Sequence, residues 1–152
     1  MSVTQILQIL SGGIGTLAFG VLFNIRGRRL VVTAIGGFLS WLLFVILSNF
    51  VHSEPLNYFI VAIAISVYAE IMARVVKTPT TTFITTALIP LIPGGSLYYT
   101  MAYAFHSNID RFLEKAIYTL QLASSLALGI IIATTLSRIF FNYLNKVQKN
   151  KC

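Results

Sequence analysis

The chain has 152 residues, of which 57% are hydrophobic and 10% are charged, and its mean hydropathy is +0.83. A water-soluble domain carries about 25% charged residues, so this composition argues against a soluble protein. The net charge of +7 comes from basic residues divided among several loops, which argues against a nucleic-acid partner.

Apolar segments close to the length of a membrane-spanning helix recur along the whole chain. We place five spans, at about 4–23, 31–51, 57–76, 79–105 and 115–138. Short polar connections separate them, with no linker between them. The sequence therefore predicts an all-α integral membrane protein, a five-span helical bundle that forms a single transmembrane domain over 1–152 in the lipid bilayer.

Small residues recur at helical spacing in three of these spans. Such residues let membrane helices approach closely, so we expect helix contacts along these ridges. The positions are Ser11, Gly12, Gly15, Thr16 and Gly20 in the first span, Gly36, Gly37 and Ser40 in the second, and Ser125, Gly129 and Ala133 in the fifth.

The basic residues give the bundle an orientation. Nine of the eleven follow the first, third or fifth span: Arg26, Arg28, Arg29, Arg74, Lys77, Arg138, Lys146, Lys149 and Lys151. The other side receives Arg111 and Lys115, offset by Glu54, Asp110 and Glu114. The positive-inside rule then predicts a cell-membrane protein with its N-terminus outside and its C-terminus in the cytoplasm.

Glu70 in the third span is the one acidic residue within a predicted span, four residues before Arg74. The two share a helix face and can pair. Carboxylates at membrane depth often mark ion or proton pathways, so Glu70 and Arg74 are candidates for coupling transport to an ion or a proton. The alternative is a structural pair, with the Arg74 side chain extended toward the headgroups.

The fourth span contains residues that interrupt a helix. Thr78 and Pro79 are expected at its start, as cap and first helical residue. In "ALIPLIPGGSLYYTM", Pro90 and Pro93 each remove a backbone donor, which leaves two carbonyls, those of Thr86 and Ile89, without their usual partners. The glycines that follow allow unwinding, and the next serine is expected to cap a second half-helix. The sequence therefore predicts one discontinuous, Pro/Gly-broken helix.

Polar backbone at membrane depth is tolerated only where it is buried in protein or lines a wet cavity, as at the broken helices of transporters. We therefore predict a substrate-binding site here, although a kink that serves packing alone is the alternative. The Thr82, Thr85 and Thr86 hydroxyls are expected on one face that leads to the break, or else bonded within the helices. The candidate binding residues are Thr86, Ile89, Pro90, Pro93, Gly94, Gly95, Ser96, Tyr98 and Tyr99.

Enzymatic chemistry finds little support in the sequence. His52 and His106 fall in predicted outer loops, and Cys152 is the last residue. No nucleophile and base form a recognisable pair, and no metal-ligand set converges. We therefore predict no enzyme activity, no metal and no cofactor.

The pattern "LIPLIPGGSLYYTM", with a threonine-rich helix start before it and "FGVLFNIRGRRL" after the first span, resembles the threonine/serine exporter (ThrE) family. More narrowly, it resembles the small, YjjB-like subunit of the two-component members. The resemblance implies secondary export of small amino acids or dicarboxylates and a larger membrane partner that carries the other transmembrane half. Two alternatives remain open: a non-transporting subunit that stabilises the partner, and a stand-alone homo-oligomeric efflux carrier.

Overall fold

The computed structural model describes residues 3–149, apart from the side chains of residues 142 and 144–149. Lys151 and Cys152, and the side chains of Lys146 and Lys149, lie outside this description. Within it, the chain forms helices and no strand, which confirms the predicted all-α class. The helices are α1 (Val3–Leu22), α2 (Arg28–Phe50), α3 (Glu54–Val76), α4 (Thr80–Leu88), α5 (Gly94–Phe105) and α6 (Ile109–Lys149), with a 3₁₀ turn at Ile89–Leu91.

Four helical segments are long and apolar enough to cross a membrane: Val3–Leu22, Arg28–Phe50, Glu54–Val76 and Ile109–Phe141 within α6. They coincide with the predicted first, second, third and fifth spans. In place of the predicted fourth span, 79–105, the structure has α4, the 3₁₀ turn and α5. None of these three is long enough to be a membrane-crossing helix by itself.

The helices pack around α3. α1 lies against α2, α2 against α3 and α4, and α6 against both α3 and α5. Val61 and Ile65 of α3, Leu91 of the 3₁₀ turn and Leu122 of α6 form part of one buried apolar cluster. This cluster joins the start of the break to α3 and α6, so the break is anchored on its buried side.

Small residues make the close helix contacts that the sequence predicts. Thr16 of α1 fills the space beside Gly37 of α2, and a side chain at Gly37 would overlap it. A Cβ atom at Gly129 of α6 would lie 2.7 Å from the Ala62 Cβ atom of α3. The prediction is wrong for Gly15, where an added Cβ atom meets nothing within 4 Å.

α3 and α6 run side by side in the same direction. Near the start of both helices, the Tyr118 hydroxyl of α6 donates a hydrogen bond to the Glu54 carboxylate of α3. Near the opposite end of α3, the Arg74 guanidinium lies over the Phe141 ring of α6, 3.6 Å from its centroid. α6 has 41 residues, which makes it about 60 Å long, roughly twice the thickness of a bilayer's hydrocarbon core.

Candidate functional site

The chain between α4 and α5 satisfies its own carbonyls despite the two prolines. The Ile89 N–H donates to the Thr86 carbonyl, and the Ile92 N–H donates to the Ile89 carbonyl at 3.1 Å. These bonds join residues three apart, so the backbone tightens into a 3₁₀ turn where Pro90 and Pro93 supply no donor. Both carbonyls thus lose their usual donors, as predicted, and accept from the residue three positions on instead.

Neither helix beside the break has the predicted cap. α4 begins at Thr80 with Pro79 as its N-cap residue, one position later than predicted, and the Thr78 hydroxyl donates to the Val76 carbonyl. α5 has Pro93 as its N-cap residue, with no side-chain cap.

The N-terminus of α5 presents two free donors. The Gly94 N–H is taken by the Ile92 carbonyl at 2.6 Å, and the Leu97 N–H by the Pro93 carbonyl at 3.0 Å. Between them, the N–H groups of Gly95 and Ser96 have no acceptor within the described chain. Free donors and the helix dipole together make this end of α5 electropositive.

A cavity of about 450 Å³ opens beside this helix end, and we call it the break cavity. One side is formed by the start of α5 and the residues before it. The facing walls come from α2, α3 and α6. Its lining comprises Trp41, Glu54, Tyr58, Ile92, Pro93, Gly94, Gly95, Ser96, Tyr99, Lys115, Tyr118 and Leu122.

Two opposite charges line the break cavity. Glu54 begins α3 and accepts the hydrogen bond from Tyr118, while the Lys115 ammonium lies 5.6 Å from the centroid of the Tyr118 ring. Within the described residues, Glu54 and Lys115 form no ion pair with each other. Each charge therefore remains available to a bound solute.

Sequence reasoning missed these two residues, since it treated both as loop charges that set the topology. One signal was available: Lys115, Tyr118 and Leu122 are three and four residues apart, a spacing that puts them on one helix face. The pairing of that face with Glu54 depends on the register of α6 against α3, which one sequence does not give.

A second cavity, the threonine cavity, has a volume of about 250 Å³ and lies at the other end of α4. Thr82, Thr85 and Thr86 share a face there, as predicted, but no residue of the break lines this cavity. Two of the hydroxyls donate to their own helix backbone: Thr85 to Thr81 and Thr86 to Thr82. Its lining comprises Phe23, Ile25, Thr81, Thr82, Thr85 and Thr86.

A third cavity, the lateral cavity, has a volume of about 370 Å³ and lies between α1 and the 3₁₀ turn. Its lining comprises Thr4, Leu7, Gln8, Ser11, Gly12, Trp41 and Pro90.

The predicted binding residues are thus divided among three places. Pro93, Gly94, Gly95, Ser96 and Tyr99 line the break cavity. Thr86 lines the threonine cavity and Pro90 the lateral cavity, whereas Ile89 and Tyr98 line none of the three. Tyr98 is 69% exposed and meets Tyr99 edge-on, with 5.6 Å between ring centroids.

Glu70 and Arg74 form the pair that their spacing predicts. The Arg74 Nη1 atom lies 2.5 Å from the Glu70 Oε2 atom and 2.7 Å from the Glu70 carbonyl oxygen. Glu70 is buried at 9% exposure. Neither residue lines any of the three cavities described above.

Comparison with known proteins adds one match. A family model described as "Threonine/Serine exporter, ThrE" matches residues 8–136, which run from α1 into α6 and include the break and every residue of the break cavity. No curated protein and no solved structure matches the chain. The match covers most of the chain, and its apolar helices fit a membrane transporter. The chain belongs to the threonine/serine exporter (ThrE) family.

Proposed function

We propose that this chain is one subunit of a secondary transporter that exports small amino acids such as threonine and serine, or short dicarboxylates. The observation that carries the proposal is the break cavity, where an electropositive helix end, a lysine and a glutamate meet. Membership of a transporter family supports the same function.

The electropositive side of the cavity would bind a carboxylate. The free N–H groups of Gly95 and Ser96 would donate to its oxygens, and the Lys115 ammonium would add a full positive charge. Half-helix N-termini that face anionic groups of the solute are a recurring feature of transporters.

The Glu54 carboxylate would receive the ammonium group of an amino acid. Tyr118 donates to its Oε2 atom, which leaves the Oε1 atom for the solute. The carbonyls of Thr86 and Ile89 are poorer partners for the ammonium group, because they already accept backbone bonds. A dicarboxylate would gain the positive side of the cavity and meet repulsion from Glu54, so this arrangement favours zwitterions.

We also propose that α4, the 3₁₀ turn and α5 together cross the membrane as a fifth, discontinuous span. The parallel arrangement of α3 and α6 supports this, because the chain between them has to return to the side on which α3 began. α4 and α5 are also not among the helix pairs that pack together in the described chain, whereas a hairpin that re-entered from one side would pair them.

The proposed orientation has the N-terminus outside and the C-terminus in the cytoplasm of the cell membrane. The threonine cavity brings the loop after α1 beside the start of α4, close to Lys77. Arg74 contacts Phe141 at the same end of α3, so the basic regions gather at one end of the bundle. The positive-inside rule then assigns that end to the cytoplasm.

A larger ThrE-type membrane subunit is the proposed partner. Five spans, an odd number, cannot contain two inverted halves of equal size, and many secondary transporters place their solute site between such halves. The break cavity would then lie against the partner, and rocking of one half against the other would give alternating access. Glu70, paired with Arg74, is the proposed carrier of a coupling proton.

The deciding experiment is efflux of radiolabelled serine, threonine and succinate from preloaded cells. It compares this chain alone, this chain with the partner, and the partner with the Gly94→Leu variant. A Cβ atom at Gly94 meets no atom within 4 Å, so the variant adds bulk at the break cavity without a clash at Cβ. Gly15→Leu is the matched control, since Gly15 has the same free space and lines none of the three cavities.

We expect efflux that requires both chains, is lost in Gly94→Leu and persists in Gly15→Leu at equal subunit abundance. Normal efflux by Gly94→Leu would contradict a solute site in the break cavity. Efflux from this chain alone would favour the homo-oligomeric carrier. Loss of partner abundance without a change in efflux per complex would favour a stabilising subunit.

A further inference from the structure

Trp41 belongs to two cavities at once. It lines the break cavity together with Glu54 and Ser96, and it lines the lateral cavity together with Gln8 and Pro90. The two cavities have volumes of about 450 and 370 Å³, and both are partly polar. The Trp41 side chain therefore forms a wall that they share, on the α2 side of the break.

The indole nitrogen of Trp41 is buried and has no hydrogen-bond partner within the described chain. Buried polar groups are nearly always paired, because an unpaired donor loses its hydration without compensation. Trp41 lines both cavities while its nitrogen is shielded from them, so a molecule in either cavity can satisfy this donor once the ring turns. A role in packing alone would be served equally well by a ring without an N–H group.

The position of the indole is set by its neighbours. Its ring stacks on Phe44 with 5.3 Å between centroids, and Phe44 meets Tyr58, another residue of the break cavity, edge-on at 5.0 Å. On the other side, a Cβ atom at Gly12 would lie 3.1 Å from the Trp41 Cβ atom, so a larger residue there would crowd Trp41. The ring is thus held by an aromatic stack on one side and a glycine on the other.

We propose that the Trp41 ring separates the break cavity from the lateral cavity, and that on turning it contacts the transported solute, with its indole N–H donating to a carboxylate or hydroxyl oxygen. The proposal rests on the proposed function and adds a solute-contacting residue on α2. Movement of this ring would open a route from the charged cavity to the uncharged one past Pro90.

Fluorescence tests the wall directly, because Trp41 is the single tryptophan of the chain. The full chain, with its partner if one is required, is purified with residue 41 as Trp or as Phe. The difference between the two emission spectra isolates Trp41. We expect acrylamide, a neutral quencher dissolved in water, to quench this emission, and we expect less quenching in Gly94→Leu than in the Gly15→Leu control. Trp41 emission that acrylamide does not quench would contradict the inference that Trp41 lines the two cavities.

The solute contact is tested by titration and by transport. Serine should change Trp41 emission with saturation at the concentration that half-saturates efflux, and Trp41→Phe should raise that concentration by about 10-fold, as expected for one hydrogen bond to a charged group. The melting temperature of Trp41→Phe measures the separate loss of packing, because Phe fills less space than the indole that stacks on Phe44. An unchanged half-saturation in Trp41→Phe would overturn the contact.

Failure of the proposed function is distinguishable from failure of this inference. If the complex exports none of the tested solutes, the solute contact falls together with the proposed function, while acrylamide quenching still decides whether Trp41 faces the two cavities. If efflux occurs but serine leaves Trp41 emission unchanged, the proposed function stands and the Trp41 contact is wrong.

Discussion

The Ser96 and Thr119 hydroxyl oxygens lie 2.6 Å apart and are hydrogen-bonded, which ties the first turn of α5 to α6. The Thr119 Oγ1 atom also lies 3.1 Å from the Thr100 Oγ1 atom, one turn further along α5. Since α5 packs on α6, these bonds fix the helix end that faces the break cavity.

Replacement of Thr119 by Val should loosen this attachment. The Ser96 hydroxyl would lose its partner, at a cost of about 1 kcal/mol in the free energy of unfolding. We expect the melting temperature in detergent to fall by about 2–4 °C and efflux to weaken. Thr135→Val is the matched control, because Thr135 is an exposed residue of α6 with no side-chain hydrogen bond in the described chain. Equal shifts for both variants would contradict the role of the Thr119 bonds.

Gly129→Val should separate α3 from α6. A Cβ atom at this position would lie 2.7 Å from the Ala62 Cβ atom and 2.8 Å from the Phe59 carbonyl oxygen, and backbone cannot move aside as a flexible side chain can. Overpacking of this kind costs about 1–3 kcal/mol. We expect lower abundance in membranes by immunoblot and a lower melting temperature, with Gly15→Val close to wild type. A stable Gly129→Val variant would show that the helices do not pack at this distance.

Serine and succinate should distinguish the roles of the two charges in the break cavity. Lys115→Gln removes the positive charge proposed to meet a carboxylate, so half-saturation for both serine and succinate should rise by about 10-fold. Glu54→Gln should raise the half-saturating concentration of serine by a similar factor. It should leave that of succinate unchanged or lower it, because only serine carries an ammonium group. Competition against radiolabelled serine measures both effects.

Arg111→Gln is the control for the loss of one positive charge from α6, since Arg111 lies outside the break cavity. Equal effects of Lys115→Gln and Arg111→Gln would point to general electrostatics and against a bound carboxylate. Equal losses of affinity for serine and for succinate in Glu54→Gln would argue against an ammonium site at Glu54.

Glu70→Gln should abolish export and leave assembly intact if Glu70 carries the coupling proton. The Gln amide oxygen can still accept the hydrogen bond from Arg74, so the contact between the two side chains survives. Glu114→Gln, at an exposed position of α6, controls for the loss of one carboxylate. The test is efflux driven by an imposed pH gradient, with subunit abundance measured in the same cells. Normal export by Glu70→Gln would leave the pair with a structural role alone.

The sequence predicted the helices because their signals are local. Apolar runs of about twenty residues give the long helices, and the Glu70 to Arg74 spacing gives an ion pair within one helix. Small residues predicted close packing at Gly37 and Gly129, but Gly15 shows the same pattern without a neighbour. The pattern shows that another helix can pack closely there. Which helix does so depends on the arrangement of the whole bundle.

The candidate site was harder to predict because its parts are distant in sequence. Glu54 and Lys115 meet only through the register of α3 against α6. The carbonyls of Thr86 and Ile89 lose their helical donors as the prolines predict, but a local tightening of the backbone supplies new ones. Ser96 is predicted to cap a helix, but its hydroxyl is hydrogen-bonded to the Thr119 hydroxyl of α6 instead.

Pro90 and Pro93 have a consequence for every state that the protein visits. Because neither residue has an amide hydrogen, no rearrangement can fuse α4 and α5 into one helix with a continuous hydrogen-bond ladder. The ladder therefore stays interrupted at these two positions, so the chain keeps a point of bending between α4 and α5. In the proposed transport cycle, release of a solute would then combine bending at this point with retreat of the opposite wall, formed by Glu54, Tyr118 and Trp41.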